Sequence, residues 1–275
     1  TLLVPLVGGW NLWHVAQGGG FEVALFDYQL EFLRADKLAM LFGILFHLAT
    51  FLACLYAFHV RDRSQQVSSL LYAGGALGAV YAGDMITLFV AWEIMAVSSV
   101  FLILARRTPR ASAAGMRYLI VQICSGLLLL TGALLHISET GSPAFGPMGL
   151  NSLAGILVFV AFGIKCAFPL VHSWLTDAYP EATPSGMVFL SAFTTKVAVY
   201  GLARSYAGTE VLIYIGTAMA MFPIFFAVIE NDLRRVLAFS LINQVGFMVV
   251  GIGIGSELAL NGAVSHAVND VLFKG

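Results

Sequence analysis

Charge is scarce in this sequence. Lys and Arg number 14 and Asp and Glu 15, so 11% of the 275 residues are charged, against about a quarter in a soluble domain. The net charge of −1 leaves no basic footprint for nucleic acid. Cysteine is equally sparse: Cys54, Cys124 and Cys166 are scattered, with no C-x-x-C spacing, and the histidines are scattered too. Zinc or iron–sulfur ligation therefore has no support, and no cofactor is expected. No glycine-rich phosphate loop follows a strand, and no metal or flavin motif is present. The alternating ten-residue strands of an outer-membrane barrel are missing. No signal-peptide pattern is visible. The chain opens on Thr1 without an initiator methionine and stops at Gly275 inside an apolar run, which reads as a fragment truncated at both ends.

Apolar residues fill the space that charge leaves. The chain is 59% hydrophobic, with a mean hydropathy of +0.89, and reads as an all-α, polytopic membrane bundle. Thr1–Ala16 is apolar but short for a span, and Gly18-Gly19-Gly20 breaks it. Phe21–Lys37 mixes aromatics with Glu22, Asp27, Glu31, Arg34 and Asp36 and reads as an interfacial segment with some extended structure. Nine spans are then expected: Leu38–His59, Val67–Gly83, Met85–Ala105, Met116–Ile137, Leu150–Val171, Pro184–Tyr206, Val211–Ile229, Val236–Ile254 and Leu258–Gly275. A span needs about 20 residues.

Basic residues set the orientation. Arg61 and Arg63 follow the first span, Arg106, Arg107, Arg110 and Arg117 lie around the start of the fourth, and Arg234 and Arg235 follow the seventh. The loops between, at Gly83-Asp84, Ser138–Gly149 and Gly255–Glu257, carry no Lys or Arg. The basic loops are expected on the cytoplasmic side. Two places fit less well: Arg204 lies near an outer loop, and His172–Thr183 falls inside without a Lys or Arg.

Sorting the charges isolates the candidate chemistry. Among basic residues, only Lys165, Lys196 and Lys274 lie away from span ends and loops; among acids, only Glu93 and Asp270 do. A charge at membrane depth costs several kcal/mol and usually faces a protein interior or a wet cavity. Pro169 lies four residues after Lys165 and lacks the N–H that would bond the Lys165 carbonyl, so the helix should be interrupted there. Broken helices at mid-membrane recur in ion-handling proteins. Glu93, Lys165, Lys196 and His266 are the candidate proton relay, with Asp270 and Lys274 as further candidates. The distance between a buried lysine and a carboxylate governs how tightly each holds a proton, so moving one against the other would load or release it. The competing reading is a static ion pair that fastens helices. It requires neither a second lysine nor a broken helix.

These residues also carry a family resemblance. DMITLFVAWEIMAVSS around Glu93 resembles the glutamate-bearing helix of the antiporter-like membrane subunits of respiratory complex I and of Mrp-type cation/proton antiporters. GIKCAFPLVHSWLTDAYPEATPSGMVFLSAFTTKVAVYGLAR resembles their most specific signature, and ENDLRRVLAFSLINQVGFMVVGIG and SHAVNDVLFKG are similar to their later helices. Within the family, the D subunit of the Mrp antiporters looks closest, and membrane-bound hydrogenases share the layout.

The resemblance implies two inverted five-helix repeats. Residues 1–66 would be an N-terminal segment and first span, 67–206 the first repeat, and 207–275 the start of the second. It also implies that Glu93 and Lys165 form a charge pair, that Lys196 passes protons toward the centre and that His266 continues the route. Many relatives have a second histidine where Asp270 stands.

The function expected is an ion-translocating subunit of a multi-subunit monovalent cation/proton antiporter in the bacterial inner membrane. It would move protons and Na⁺ or K⁺ beside partner subunits, with no covalent chemistry of its own. The alternative is a proton-pumping subunit of an NADH:quinone oxidoreductase or hydrogenase complex. A more remote alternative is a b-type haem electron carrier, for which His47 and His136 are the candidate ligands.

The orientation is open to direct test. In a background lacking the native cysteines, Ser64→Cys and Arg110→Cys should be shielded from a membrane-impermeant thiol reagent added outside intact cells, and Ser142→Cys should react. The reverse pattern would overturn the orientation.

Overall fold

A computed structural model describes residues 2–15, 21–25 and 28–274. Thr1, Gly18-Gly19-Gly20, Asp27 and Gly275 lie outside the described residues. A short helix α1 (Leu3–Val15) precedes an antiparallel hairpin of β1 (Phe21–Leu25) and β2 (Tyr28–Leu33). The rest is helical: α2 (Lys37–Tyr56), α3 (Arg63–Tyr81), α4 (Met85–Leu104), α5 (Pro109–Thr140), α6 (Leu153–Lys165), α7 (Ser173–Ala178), α8 (Pro184–Ala192), α9 (Thr194–Ser205), α10 (Val211–Ile229), α11 (Leu233–Ile254) and α12 (Glu257–Lys274). Among the described residues, six helical segments are long and apolar enough to cross a membrane: α2 with its C-terminal turn, α4, α5, α8 with α9, α10 and α11.

Local signals explain where the helices start. Asp36, Asp84, Ser152 and Thr183 each cap a first turn by accepting a backbone N–H, from Ala39, Thr87, Gly155 and Gly186. Thr108 caps α5, and Pro109 fills its first position, where a missing N–H costs nothing. That pair starts α5 seven residues before the expected Met116. Likewise Asp62 caps α3 at Arg63 rather than Val67.

Two expected spans are not continuous helices. The expected Leu150–Val171 holds only the 13-residue α6, which ends at Lys165. Pro184–Tyr206 is divided at Phe193 into α8 and α9, a break that neither Pro nor Gly marks in the sequence. Helices α10 and α11 lie in close contact through small residues: a Cβ on Gly246 would sit 2.5 Å from the Ala220 backbone nitrogen. Asn243 adds a hydrogen bond across the pair, from Nδ2 to the Ala220 carbonyl at 2.5 Å.

The arginine-bearing loops converge on one face. Arg107 pairs with Asp62 at 3.1 Å, Arg106 and Arg110 pair with Glu181 at 3.2 and 2.8 Å, and Arg117 pairs with Asp177 at 2.7 Å. Arg234 reaches the carbonyls of Pro180 and Ala182. The 172–183 segment, which has no Lys or Arg, thus supplies the carboxylates and carbonyls that the arginines need.

On the opposite face, β2 joins the α3–α4 turn through Gly83 N–H to the Glu31 carbonyl, and Arg34 donates to the Phe145 carbonyl. Arg204 belongs to this face. It pairs with Asp36 at 2.7 Å and lies 4.9 Å from the Tyr200 ring centre.

Asp36 therefore caps α2 and ties it to α9. Burial alone would raise its pKa, but the hydrogen bonds from Arg204 and the Ala39 N–H, with the charges of Arg204 and Arg34, together hold it below its ordinary value. A carboxylate with a lowered folded-state pKa contributes stability that is complete above its unfolded value and is lost as pH falls through the folded one. Asp36→Ala should lower unfolding stability in detergent by about 1–2 kcal/mol at neutral pH, the cap being the larger part. The difference from wild type should shrink in acid; a difference that stayed constant would show that the carboxylate charge is irrelevant.

Candidate functional site

Each buried lysine sits where a helix is broken. Helix α6 ends in a Schellman arrangement: Phe168 N–H bonds the Gly163 carbonyl at 2.9 Å and Ala167 N–H bonds that of Ile164 at 3.1 Å. Ala167 is left-handed with φ 60°, a conformation that glycine adopts more readily. Phe168 folds back on Gly163, where any Cβ would strike its ring. Pro169 follows and cannot continue the helix. The Ile164 carbonyl gains a second donor at 2.9 Å, the indole N–H of buried Trp174. The Gly163 and Ile164 carbonyls at the break are thus met within the protein, as a bilayer requires.

The second break, at Phe193, is met the same way. Thr194 N–H donates to the Tyr72 hydroxyl at 2.9 Å, and Lys196 Nζ reaches back across the turn to the Ser191 carbonyl at 2.9 Å.

Lys165 is 1% exposed and Lys196 0%. Lys165 Nζ donates to the Trp92 carbonyl at 3.0 Å and lies 4.1 Å from the centre of the Trp92 ring system, so this helix-borne tryptophan holds the ammonium twice. Glu93 is the next residue along α4. It is half-buried, and a Cβ on Gly126 of α5 would collide with its carboxylate. Glu93 and Lys165 act on each other electrostatically but make no ion-pair contact; Glu93 Oε1 is buried without a hydrogen-bond partner.

Lys196 has a direct counter-charge. Its Nζ lies 2.6 Å from Asp270 Oδ2, and both side chains are fully buried. This is a charge contact off the line of a hydrogen bond, since neither Asp270 oxygen has an aligned partner. Lys274, one turn further along α12, lies 3.6 Å from Asp270 Oδ1 and donates to Ser240 at 2.7 Å. His266, one turn back, faces α11: its Nε2 is 2.8 Å from Gln244 Oε1, and Gln244 bonds Asn243 in turn. The structure thus brings Lys196, Asp270 and Lys274 into contact, sets Glu93 near Lys165, and turns His266 toward a separate amide pair. The two lysine turns adjoin, with Cys166 Sγ 4.0 Å from the Thr195 carbonyl.

Sequence reasoning missed the roles of Trp92, Trp174 and Tyr72. Their signal was weak, because aromatics at helical spacing ordinarily read as core. Chemically the site holds three amines and two carboxylates in or near an apolar interior. Such an array can hold and pass protons; among the described residues no cluster fit to ligate a metal occurs.

Residues 82–275 match a protein-family profile described as NADH:quinone oxidoreductase/Mrp antiporter, transmembrane. Similar proteins include the N subunit of the NADH-quinone oxidoreductase of Desulforudis audaxviator, 32% identical over 227 residues and covering 75% of this chain and 45% of that protein. The D subunit of the Na⁺/H⁺ antiporter of Alkalihalophilus pseudofirmus is 25% identical over 288 residues, covering 94% of this chain and 58% of that one. A chain in the structure of the Mrp complex from Dietzia sp. superposes with a TM-score of 0.86 at 23% identity, covering 99% of this chain and 57% of that one, a likeness of fold. The chain spans about half the length of the curated relatives it matches.

Trp174→Phe keeps an aromatic ring of smaller size, removes the indole N–H and leaves the Ile164 carbonyl with its backbone donor. Stability in detergent should fall by about 1 kcal/mol. Ala167→Gly should raise it by about 1 kcal/mol by relieving the left-handed residue. Opposite signs would mean that the break is held by something other than these contacts.

Proposed function

The chain belongs to the NADH:quinone oxidoreductase/Mrp antiporter transmembrane family, and on that premise we propose that it is an ion-translocating subunit of a multi-subunit monovalent cation/proton antiporter. Protons pass along Glu93, Lys165, Lys196 and His266, with Asp270 as the immediate partner of Lys196 and Lys274 beside it. The arginine-bearing face is cytoplasmic, the membrane is the bacterial inner membrane, and the partners are other subunits of the complex. Residues 67–206 form the first ion-translocating repeat, and 207–275 belong to a second, inverted one.

The observation that carries this reading is the pair of buried ammonium groups at two broken helices. Lys165 is held by a carbonyl and a ring rather than by a carboxylate in contact, so its counter-charge, Glu93, is free to approach or recede. A pair that served only to fasten helices would be expected to sit in direct contact, and Glu93 and Lys165 do not. Moving Glu93 against Lys165 changes the balance between desolvation and ion pairing, which loads or unloads the proton. The likeness to a component of an NADH-quinone oxidoreductase supports a second reading, a proton-pumping subunit of a redox complex that uses the same relay. Flux that depends on Na⁺ or K⁺ separates the first from the second. The haem reading has no such support: with Nδ1 on the Gly43 carbonyl, the remaining ring nitrogen of His47, Nε2, lies against the backbone of Gly8 in α1.

Lys165→Arg tests the relay. Arginine keeps the charge and can hold an ion pair, but its pKa above ~12 forbids release of the proton. Vesicles bearing the complete complex should show normal subunit content on a gel and proton flux reduced at least tenfold. Wild-type flux would refute the relay role of Lys165 and leave it as a fastener.

A further inference from the structure

The relay accounts for the amines and carboxylates but leaves a group of buried hydroxyls unused. Tyr72 of α3, Tyr118 of α5, Tyr179 in the turn after α7 and Thr194 at the start of α9 are all 0–1% exposed. Tyr72 OH lies 2.5 Å from Thr194 Oγ1. Tyr118 OH lies 2.8 Å from Ser99 Oγ. Tyr179 OH is buried without a hydrogen-bond partner, and it interacts electrostatically with the hydroxyls of Tyr72 and Tyr118.

These contacts differ from those of other buried tyrosines in the chain. Tyr200 and Tyr206 donate to the backbone carbonyls of Val80 and Gly155, which fastens helices and leaves the hydroxyl proton committed. Tyr72 instead meets the Thr194 hydroxyl while accepting from the Thr194 N–H, and Tyr118 meets the Ser99 hydroxyl, whose own proton goes to the Ala96 carbonyl.

Both ends of the group are placed. Toward the arginine-bearing face lies a basin of about 620 Å³ whose lining includes Arg110, Arg117, Asp177, Glu181 and Trp174. Trp174, one of the lining residues, packs against both Tyr118 and Tyr179, with ring centres 5.5 and 5.7 Å away. At the other end, Thr194 opens the turn on which Lys196 bonds the Ser191 carbonyl.

We propose that the hydroxyls of Tyr118, Tyr179, Tyr72 and Thr194 form a proton-conducting ladder between this basin and the broken turn that carries Lys196. A proton from water in the basin adds to a lone pair of the first hydroxyl oxygen as that oxygen's own proton passes to the next. Only O–H bonds form and break along the ladder, no electron is transferred, and rotation of the hydroxyls resets it. The last proton passes from Thr194 to the Lys196 amine, with water as carrier across the turn. The ladder rests on the relay reading, since it has nothing to deliver if Lys196 carries no proton.

The test uses vesicles bearing the complete complex. Tyr118→Phe with Tyr179→Phe keeps both rings and removes two hydroxyls, one of which has no bond to lose. Proton flux should fall at least tenfold with normal subunit content. The residual flux should show a larger deuterium solvent isotope effect than wild type, because proton delivery has become limiting. Thr194→Ser, which keeps the hydroxyl, should transport, and Thr194→Val should not. Wild-type flux in the double variant overturns the ladder, as does a loss with an unchanged isotope effect, which would mark a structural defect. Lys196→Arg run alongside separates the failures: if it is inactive while the double variant is normal, only the ladder falls, and if it is fully active, the relay role of Lys196 on which the ladder rests falls.

Discussion

The structure depends on holding ammonium groups inside an apolar bundle. Each must be met by oxygen or by an aromatic face, and a regular helix has few carbonyls to spare. The chain answers by breaking helices beside the charges. At Phe193 the break lets the Ser191 carbonyl accept from Lys196. At Lys165 the break ends the helix on the lysine itself, and its ammonium reaches across to the Trp92 carbonyl on α4. Trp174 meets the Ile164 carbonyl at the first break, and Tyr72 meets the Thr194 N–H at the second.

The two lysines are held in different ways, and the difference carries functional meaning. Lys196 lies against Asp270, with Lys274 on the far side of the carboxylate, a compact array of two positive charges around one negative. Lys165 has no carboxylate in contact; Glu93 stands off against the bare backbone of Gly126. A tight pair resists change, because separating buried charges is costly. A loose pair can alter its spacing at lower cost. The movable element is thus expected at Glu93 and Lys165, and the fixed one at Lys196 and Asp270.

Much of this was legible in the sequence. Scarce charge and long apolar runs announced a membrane bundle, and the alternation of arginine loops matches their gathering on one face. The 172–183 segment looked anomalous because orientation was judged from basic residues alone. Its Asp177 and Glu181 take up the arginines of neighbouring loops, a pairing between segments some 60 to 75 residues apart. Pro169 marked the first break because it lacks a donor. No residue type marked the second, since a break supported by a tyrosine from another helix leaves no local trace.

The sequence by itself determined that Glu93, Lys165, Lys196 and Asp270 lie in apolar surroundings, because a run of apolar residues long enough to span fixes what can flank them. It also determined where most helices begin, because a cap acts within one turn. Which charge meets which was decided only by tertiary structure. Asp270 stands 74 positions from Lys196 and adjoins it through the packing of α12 near α8 and α9, while His266, one turn away on the same helix, faces α11 instead. Pairing across helices depends on their rotation and crossing, and those are set by the whole bundle at once.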